Sequence, residues 1–281
     1  MCMKVTFYGV RGSIAAPDRN TVKYGGNTSC VLVEPDNDVV LIFDAGTGIR
    51  VLGHHLESDS RDLYLLFSHY HWDHIQGLPF FKPIYQQGRK VRLLSNHMDG
   101  GDDAASVLDQ MIDPHFPVTS AQLRARIEVL PFDDKGVVRV GEAKVTSMPL
   151  NHSGGGSAFR VDMGNGSLAY ITDNELFPPG EVKTSYADWV EFVRNVDLLV
   201  HDAMYLDEEL EQIHGWGHSL ISQALQLALD AGVKRVVLFH HDPSRSDRQL
   251  DEILSNSREW MARHSADTEV FVAAEGDSYV L

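Results

Sequence analysis

The chain has 281 residues, 43% of them hydrophobic, enough for one large domain or two small ones. Lys and Arg number 24 against 40 Asp and Glu, a formal charge of −16 that argues against a protein held on long nucleic acid by phosphate neutralisation. Two cysteines, Cys2 and Cys30, make neither a disulfide framework nor a thiolate zinc site. A small anionic ligand is not excluded, because bound divalent cations reverse the local field. The N-terminus carries no charged segment followed by an apolar core, and no apolar run approaches the ~20 residues of a membrane helix. A cytoplasmic protein that does not enter a membrane is expected.

In chain order, Lys4–Val10, Ser29–Glu34 and Val39–Phe43 read as short strands separated by Gly, Pro, Asn or Asp. A short helix is expected over Gly48–Leu56, then a buried strand at Asp62–Phe67 that ends in the run His69-Tyr70-His71-Trp72-Asp73-His74. Val91–Leu94 is another strand, Gly101–Met111 looks helical, and two prolines break the chain between Asp113 and Val118. Strands return at Ile127–Leu130, Val137–Val140, Lys144–Met148, Ala158–Asp162 and Ser167–Thr172. The second half alternates: helix Ser185–Val193, strand Asp197–Val200, helix Ser219–Ala231, strand Arg235–Phe239 and helix Asp247–His264. Many strands followed by strand–helix alternation predict an α/β fold of two packed sheets with helices outside. With no repeat, low-complexity tract or linker, a single domain over residues 1–281 is the economical count.

Three imidazoles and a carboxylate between residues 69 and 74 suit zinc, iron or manganese. Further candidate ligands stand where predicted strands end: His152, Asp173, and the pair His240 and His241. Taken alone, a histidine such as His152 is more often a hydrogen-bonded surface residue, and Asp173 also fits a turn acceptor or helix cap. Together with the histidine loop they approach the number of ligands that a binuclear centre with one bridging carboxylate requires.

The HxHxDH pattern of His69, His71, Asp73 and His74 resembles that of the metallo-β-lactamase-fold hydrolases. The resemblance extends along the chain, with Asp44-Ala45-Gly46-Thr47-Gly48 similar to the family's early Asp-containing turn. It implies an αββα sandwich, two mixed β-sheets packed face to face with helices on the outer faces. It also implies two divalent metal ions per chain, one held by His69, His71 and His152 and the other by Asp73, His74 and His240, with Asp173 bridging. Zinc is the default for so many imidazoles; the carboxylates also admit manganese or iron. Asp44 is expected to fix ligand histidines without ligating.

Within that superfamily the chain looks most like phosphodiesterases of the tRNA 3′-processing and cyclic-phosphate type. His201-Asp202-Ala203 resembles a His-Glu-Ala-Thr segment with Asp in place of Glu, and Gly217-His218-Ser219 resembles a His-Ser-Thr segment with Leu220 in place of Thr. By that resemblance His218 protonates the leaving oxygen and Asp202 orients it, while Asp73 belongs to the catalytic metal site. From the residues alone, His218 is also readable as a neighbour of the following helix start, which Ser219 could cap. Arg11-Gly12-Ser13 and Tyr24–Ser29 resemble early segments of related phosphodiesterases, and Asn27 is a candidate to approach the metals. Met111, His115 and Phe116 fit either a pocket wall that stacks a base or ordinary core packing. His54, His55, His97, His214, His241 and His264 read as structural or surface residues.

The expected function is a binuclear metal-dependent phosphodiesterase acting on a small anionic phosphodiester, a cyclic nucleotide or related cyclic phosphate. It would use a metal-bridging hydroxide and a histidine acid. Alternatives are a lactone or thioester hydrolase of the same fold, a short-form tRNA 3′-processing endonuclease, and a ligand sensor without turnover. The acidity and the 20 residues between His152 and Asp173, too few for a long RNA-binding arm, favour a small substrate over long nucleic acid. A homodimer is compatible with the relatives that the chain resembles.

Overall fold

Strand Val39–Phe43, all five residues Val, Leu, Ile or Phe and all buried, shows the pattern that repeats through the protein: central strands covered on both faces. The computed structural model describes residues 2–35, 38–95, 104–111, 116–164, 166–264 and 267–281. Fourteen strands are found among them: β1 (Lys4–Gly9), β2 (Cys30–Glu34), β3 (Val39–Phe43), β4 (Asp62–Leu66), β5 (Lys90–Leu94), β6 (Arg126–Val129), β7 (Val137–Val140), β8 (Ala143–Pro149), β9 (Ser157–Met163), β10 (Gly166–Ile171), β11 (Leu198–Asp202), β12 (Arg235–Phe239), β13 (Glu269–Val272) and β14 (Ser278–Val280). The helices are α1 (Ile49–His55), α2 (Trp72–Ile75), α3 (Tyr186–Phe192), α4 (Leu210–Ile213), α5 (Ile221–Asp230) and α6 (Asp247–Arg263).

The strands form two seven-stranded sheets, ordered β14-β1-β2-β3-β4-β5-β6 and β13-β12-β11-β10-β9-β8-β7. Each is mixed. In the first, pairing is antiparallel from β14 to β3 and parallel from β3 to β6; in the second it is parallel from β13 to β10 and antiparallel from β10 to β7.

Alternation within strands divides the apolar residues into three layers. Phe7, Phe43, Phe159, Tyr170 and Phe239 pack between the sheets. Ile42, Leu52 and Phe81 fill the outer face of the first sheet, while Trp189, Leu225 and Leu250 fill that of the second beneath α3, α5 and α6. The architecture is the expected αββα sandwich. Among the described residues no helix is long and apolar enough to cross a membrane.

Local differences from the sequence reading have physical causes. β13 and β14, which it omits, are edge strands of four and three residues, too short to carry a clear alternation. β11 runs two residues beyond Val200, because His201 and Asp202 are buried strand residues despite their polarity. Residues 72–75, which overlap the end of the histidine run, form a helical turn. The helix expected over Gly101–Met111 is a 3-10 turn at Ala104–Gln110, with positions 101–103 outside the described residues.

Candidate metal centre and adjoining acid

The site lies at the carboxyl ends of strands from both sheets. Asp44 follows β3, the histidine run follows β4, His152 follows β8, Asp173 follows β10, Asp202 closes β11 and His240 follows β12. Open α/β sheets present ligand sites at this edge, the carboxyl ends of their strands.

Two groups of donors meet there. His69, His71 and His152 bring three ring nitrogens together; Asp73, His74, Asp173 and His240 form the second group, all four buried. Asp173 faces both. Its Oδ1 lies 3.7 Å from His69 Nε2 and 3.9 Å from His152 Nε2, and its Oδ2 lies 3.1 Å from both His74 Nε2 and His240 Nε2. Asp73 Oδ2 is 3.2 Å from His74 Nε2 and from His240 Nε2.

The donor set fits two cations. His69 Nε2 and His74 Nε2 are buried without a hydrogen-bond partner, and both face the shared carboxylate. A buried polar atom left unpaired is costly, and two such ring nitrogens beside a shared carboxylate suit an ion. The clusters are consistent with a binuclear metal site.

Electrostatics follow from the same crowding. Burial and the neighbouring His74 push the His69 imidazolium well below its ordinary pKa. Burial works against charge on Asp73 and Asp173 as well, but the adjacent histidines outweigh it and hold both carboxyls well below the usual range. His74, also desolvated, is raised well above its ordinary value by Asp73, Asp173 and Asp44. His152 is lowered to about 4, chiefly by burial.

Surrounding groups orient these rings. Asp44 Oδ2 is 2.9 Å from His74 Nδ1, turning Nε2 toward the cluster. The Asp44 carboxylate also accepts from Ser68 N at 2.7 Å, Ser68 Oγ at 2.8 Å and Tyr170 Oη at 2.8 Å. We expect Asp44→Asn, which removes the charge facing His74, to weaken metal binding about 10- to 100-fold; calorimetric titration of metal-free protein would measure it. Ser13 N donates to Asp73 Oδ2 at 2.7 Å. Gly12 lies against His240 so closely that a Cβ there would sit 2.4 Å from the ring. Backbone strain concentrates here: among the described residues five non-glycine residues have positive φ, and Ser13, Asp44, Asp173 and His240 are four of them.

His218 stands beside both groups. Its Nδ1 is 2.7 Å from Asp202 Oδ2, and its ring stacks on His240 with centroids 5.1 Å apart. Burial disfavours its charged form, yet Asp202, Asp173 and Asp73 prevail and raise it to about 9. Bound cations would pull that value back toward neutrality. With Nδ1 engaged by Asp202, Nε2 is the ring nitrogen outside that contact.

The structure therefore gathers His69, His71, Asp73, His74, His152, Asp173, His240, His218 and Asp202 into one site. Asn27 does not join it: its backbone N–H and Nδ2 both donate to Glu275. Nor does Ser219 cap α5, since its hydroxyl donates to Asn174 O at 2.5 Å. Met111 is fully buried, in keeping with core packing, while Phe116 meets Phe80 edge-on; His115 and His97 lie outside the described residues. His241 is buried with Nε2 2.9 Å from Ala273 O, a structural contact. The Ser13 amide has no counterpart in the sequence analysis, because a backbone N–H leaves no mark in composition.

A two-sheet sandwich with histidines and aspartates at its strand ends defines the metallo-β-lactamase class. The family model described as the beta-lactamase superfamily domain matches residues 40–241, and the chain belongs to that family. It is 24% identical to ribonuclease Z of Picrophilus torridus, over 88% of this chain and 88% of that one. The metallo-beta-lactamase fold protein YhfI from Bacillus subtilis superposes with a TM-score of 0.71 at 19% identity, covering 100% of this chain and 99% of that one. A diphosphatase from the PhnP family gives 0.70 at 17%, covering 100% and 98%. At these identities the structural likeness concerns the fold.

Proposed function

We propose that this protein is a cytoplasmic two-metal phosphodiesterase, with zinc as the natural ion, that hydrolyses a small phosphodiester such as a cyclic nucleotide or related cyclic phosphate. A phosphodiester resists hydrolysis because its charge repels hydroxide and its alkoxide leaves poorly. Two divalent ions, when bound, supply the Lewis acidity that activates water and offsets charge on the phosphoryl group. His69, His71 and His152 would hold one ion; Asp73, His74 and His240 would hold the other, with Asp173 between them.

The observation that carries the reading is the Asp202–His218 pair, at 2.7 Å, set against both donor groups. Hydrolysis of an ester with a good leaving group needs no such acid. Departure of a poor alkoxide does, and His218 Nε2–H is available to protonate it while Asp202 holds the ring. The charge of −16 supports a small substrate.

A second reading is an RNA endonuclease, favoured by the ribonuclease Z relative. Metal-quantified protein assayed against cyclic nucleotides, a precursor tRNA and a lactone separates the possibilities. Cyclic nucleotide hydrolysis with uncut tRNA is the expected pattern. Preferential cleavage of the tRNA would favour the second reading, and turnover of the lactone alone would refute both.

A further inference from the structure

Glu175 lies two residues beyond Asp173, 4% exposed, and neither donor group nor the Asp202–His218 pair includes it. Its two carboxylate oxygens accept the backbone N–H groups of Gly215 and Gly217, at 2.9 and 3.0 Å. Both glycines have positive φ, 90° and 84°, and a Cβ on Gly217 would lie 2.2 Å from His152 Nδ1. Gly217 in turn offers its carbonyl to His152 Nδ1 at 3.0 Å, and the residue that follows it is His218.

The strap Asp173–Leu176 ties the same elements together again. Asn151 N donates to Asn174 Oδ1 at 3.0 Å, and Glu175 N donates to Asn151 O at 3.1 Å, holding the residue before His152. Ser219 Oγ donates to Asn174 O and accepts from Leu176 N at 3.3 Å, holding the residue after His218.

We propose that Glu175 is a positioning residue that locks the 215–218 turn, and thereby sets both the ring orientation of His152 and the placement of His218. With Gly217 O fixed, the His152 Nδ1 proton is held there and Nε2 is left free to ligate. A carboxylate is suited to this task because it accepts both amides, each in a charge-assisted bond. A glutamine has one acceptor oxygen and would turn its NH₂ toward the second amide, so that one of the two glycine N–H groups loses its acceptor. The His218 half of this inference rests on the phosphodiesterase reading; the His152 half requires only that the site bind metal.

The test uses Glu175→Gln in the full chain, with Glu175→Ala as a stronger variant if it folds. Calorimetric titration of metal-free protein with zinc should show one of two binding steps weakened about tenfold and the other nearly unchanged. With saturating metal, the variant should lose about tenfold more rate on a dialkyl phosphodiester than on bis-p-nitrophenyl phosphate, and should lose nothing further in a His218→Ala background. Zinc binding unchanged at both steps overturns the His152 half. A loss that adds in full to that of His218→Ala overturns the His218 half and marks Glu175 as merely structural. If the wild type cleaves neither diester, the phosphodiesterase reading fails, and the zinc titration alone decides on Glu175.

Discussion

Asp173→Asn is expected to leave no more than one tightly bound metal ion per chain and to lower kcat/KM by on the order of 10³-fold or more. In the wild type each carboxylate oxygen faces a different donor group, Oδ1 toward His69 and His152 and Oδ2 toward His74 and His240. Asparagine keeps one oxygen and substitutes a donor NH₂ for the other, so it cannot serve two cations, and it removes a buried negative charge. Groups that only orient a ligand cost roughly 10- to 100-fold when lost, and a ligand shared by two ions must cost more. Asparagine is preferable to alanine here because Asp173 has φ 49°, a conformation that asparagine tolerates and alanine does not. The variant should therefore fold, and elemental analysis with steady-state kinetics measures both quantities. Two retained ions and activity within about tenfold of wild type would show that Asp173 does not bridge.

His218→Ala should leave the metal content intact and slow cleavage of an alkyl phosphodiester by about 10²- to 10⁴-fold, the range for loss of a general acid. Hydrolysis of bis-p-nitrophenyl phosphate should fall far less, because p-nitrophenolate departs without protonation. Geometry motivates the contrast: Nδ1 is committed to Asp202 at 2.7 Å, and the ring packs on His240 beside the donor groups without belonging to either of the two main ones. Comparing the rates of both substrates at saturating metal checks it. Equal losses on the two would place His218 in binding or structure and not at the leaving group.

The run from His69 to His74 is legible in the sequence because its donors are contiguous and follow an apolar strand. The sandwich is legible for a related reason: β3 is apolar throughout and β12 after its first residue, and α5 repeats apolar residues at helical spacing. Where polarity and burial part company, the pattern misleads. His201 and Asp202 look like loop residues, yet they complete a central strand, and that extension is what carries Asp202 to His218. The adjacent His240 and His241 cannot be told apart by composition. Only the left-handed backbone at His240 turns its ring to the donor cluster, while His241 turns to Ala273. Contacts made by backbone groups, such as Ser13 N on Asp73 and the two glycine amides on Glu175, depend on chain path and leave no side-chain signature.

The most direct test of a two-metal phosphodiesterase is to titrate metal-free protein with zinc or manganese while following bis-p-nitrophenyl phosphate hydrolysis and bound metal together. Activity should be absent without metal and rise until two ions are bound per chain, with Asp173→Asn failing to follow that curve. Undiminished hydrolysis by the metal-free protein, or no hydrolysis with two ions bound, would contradict the account.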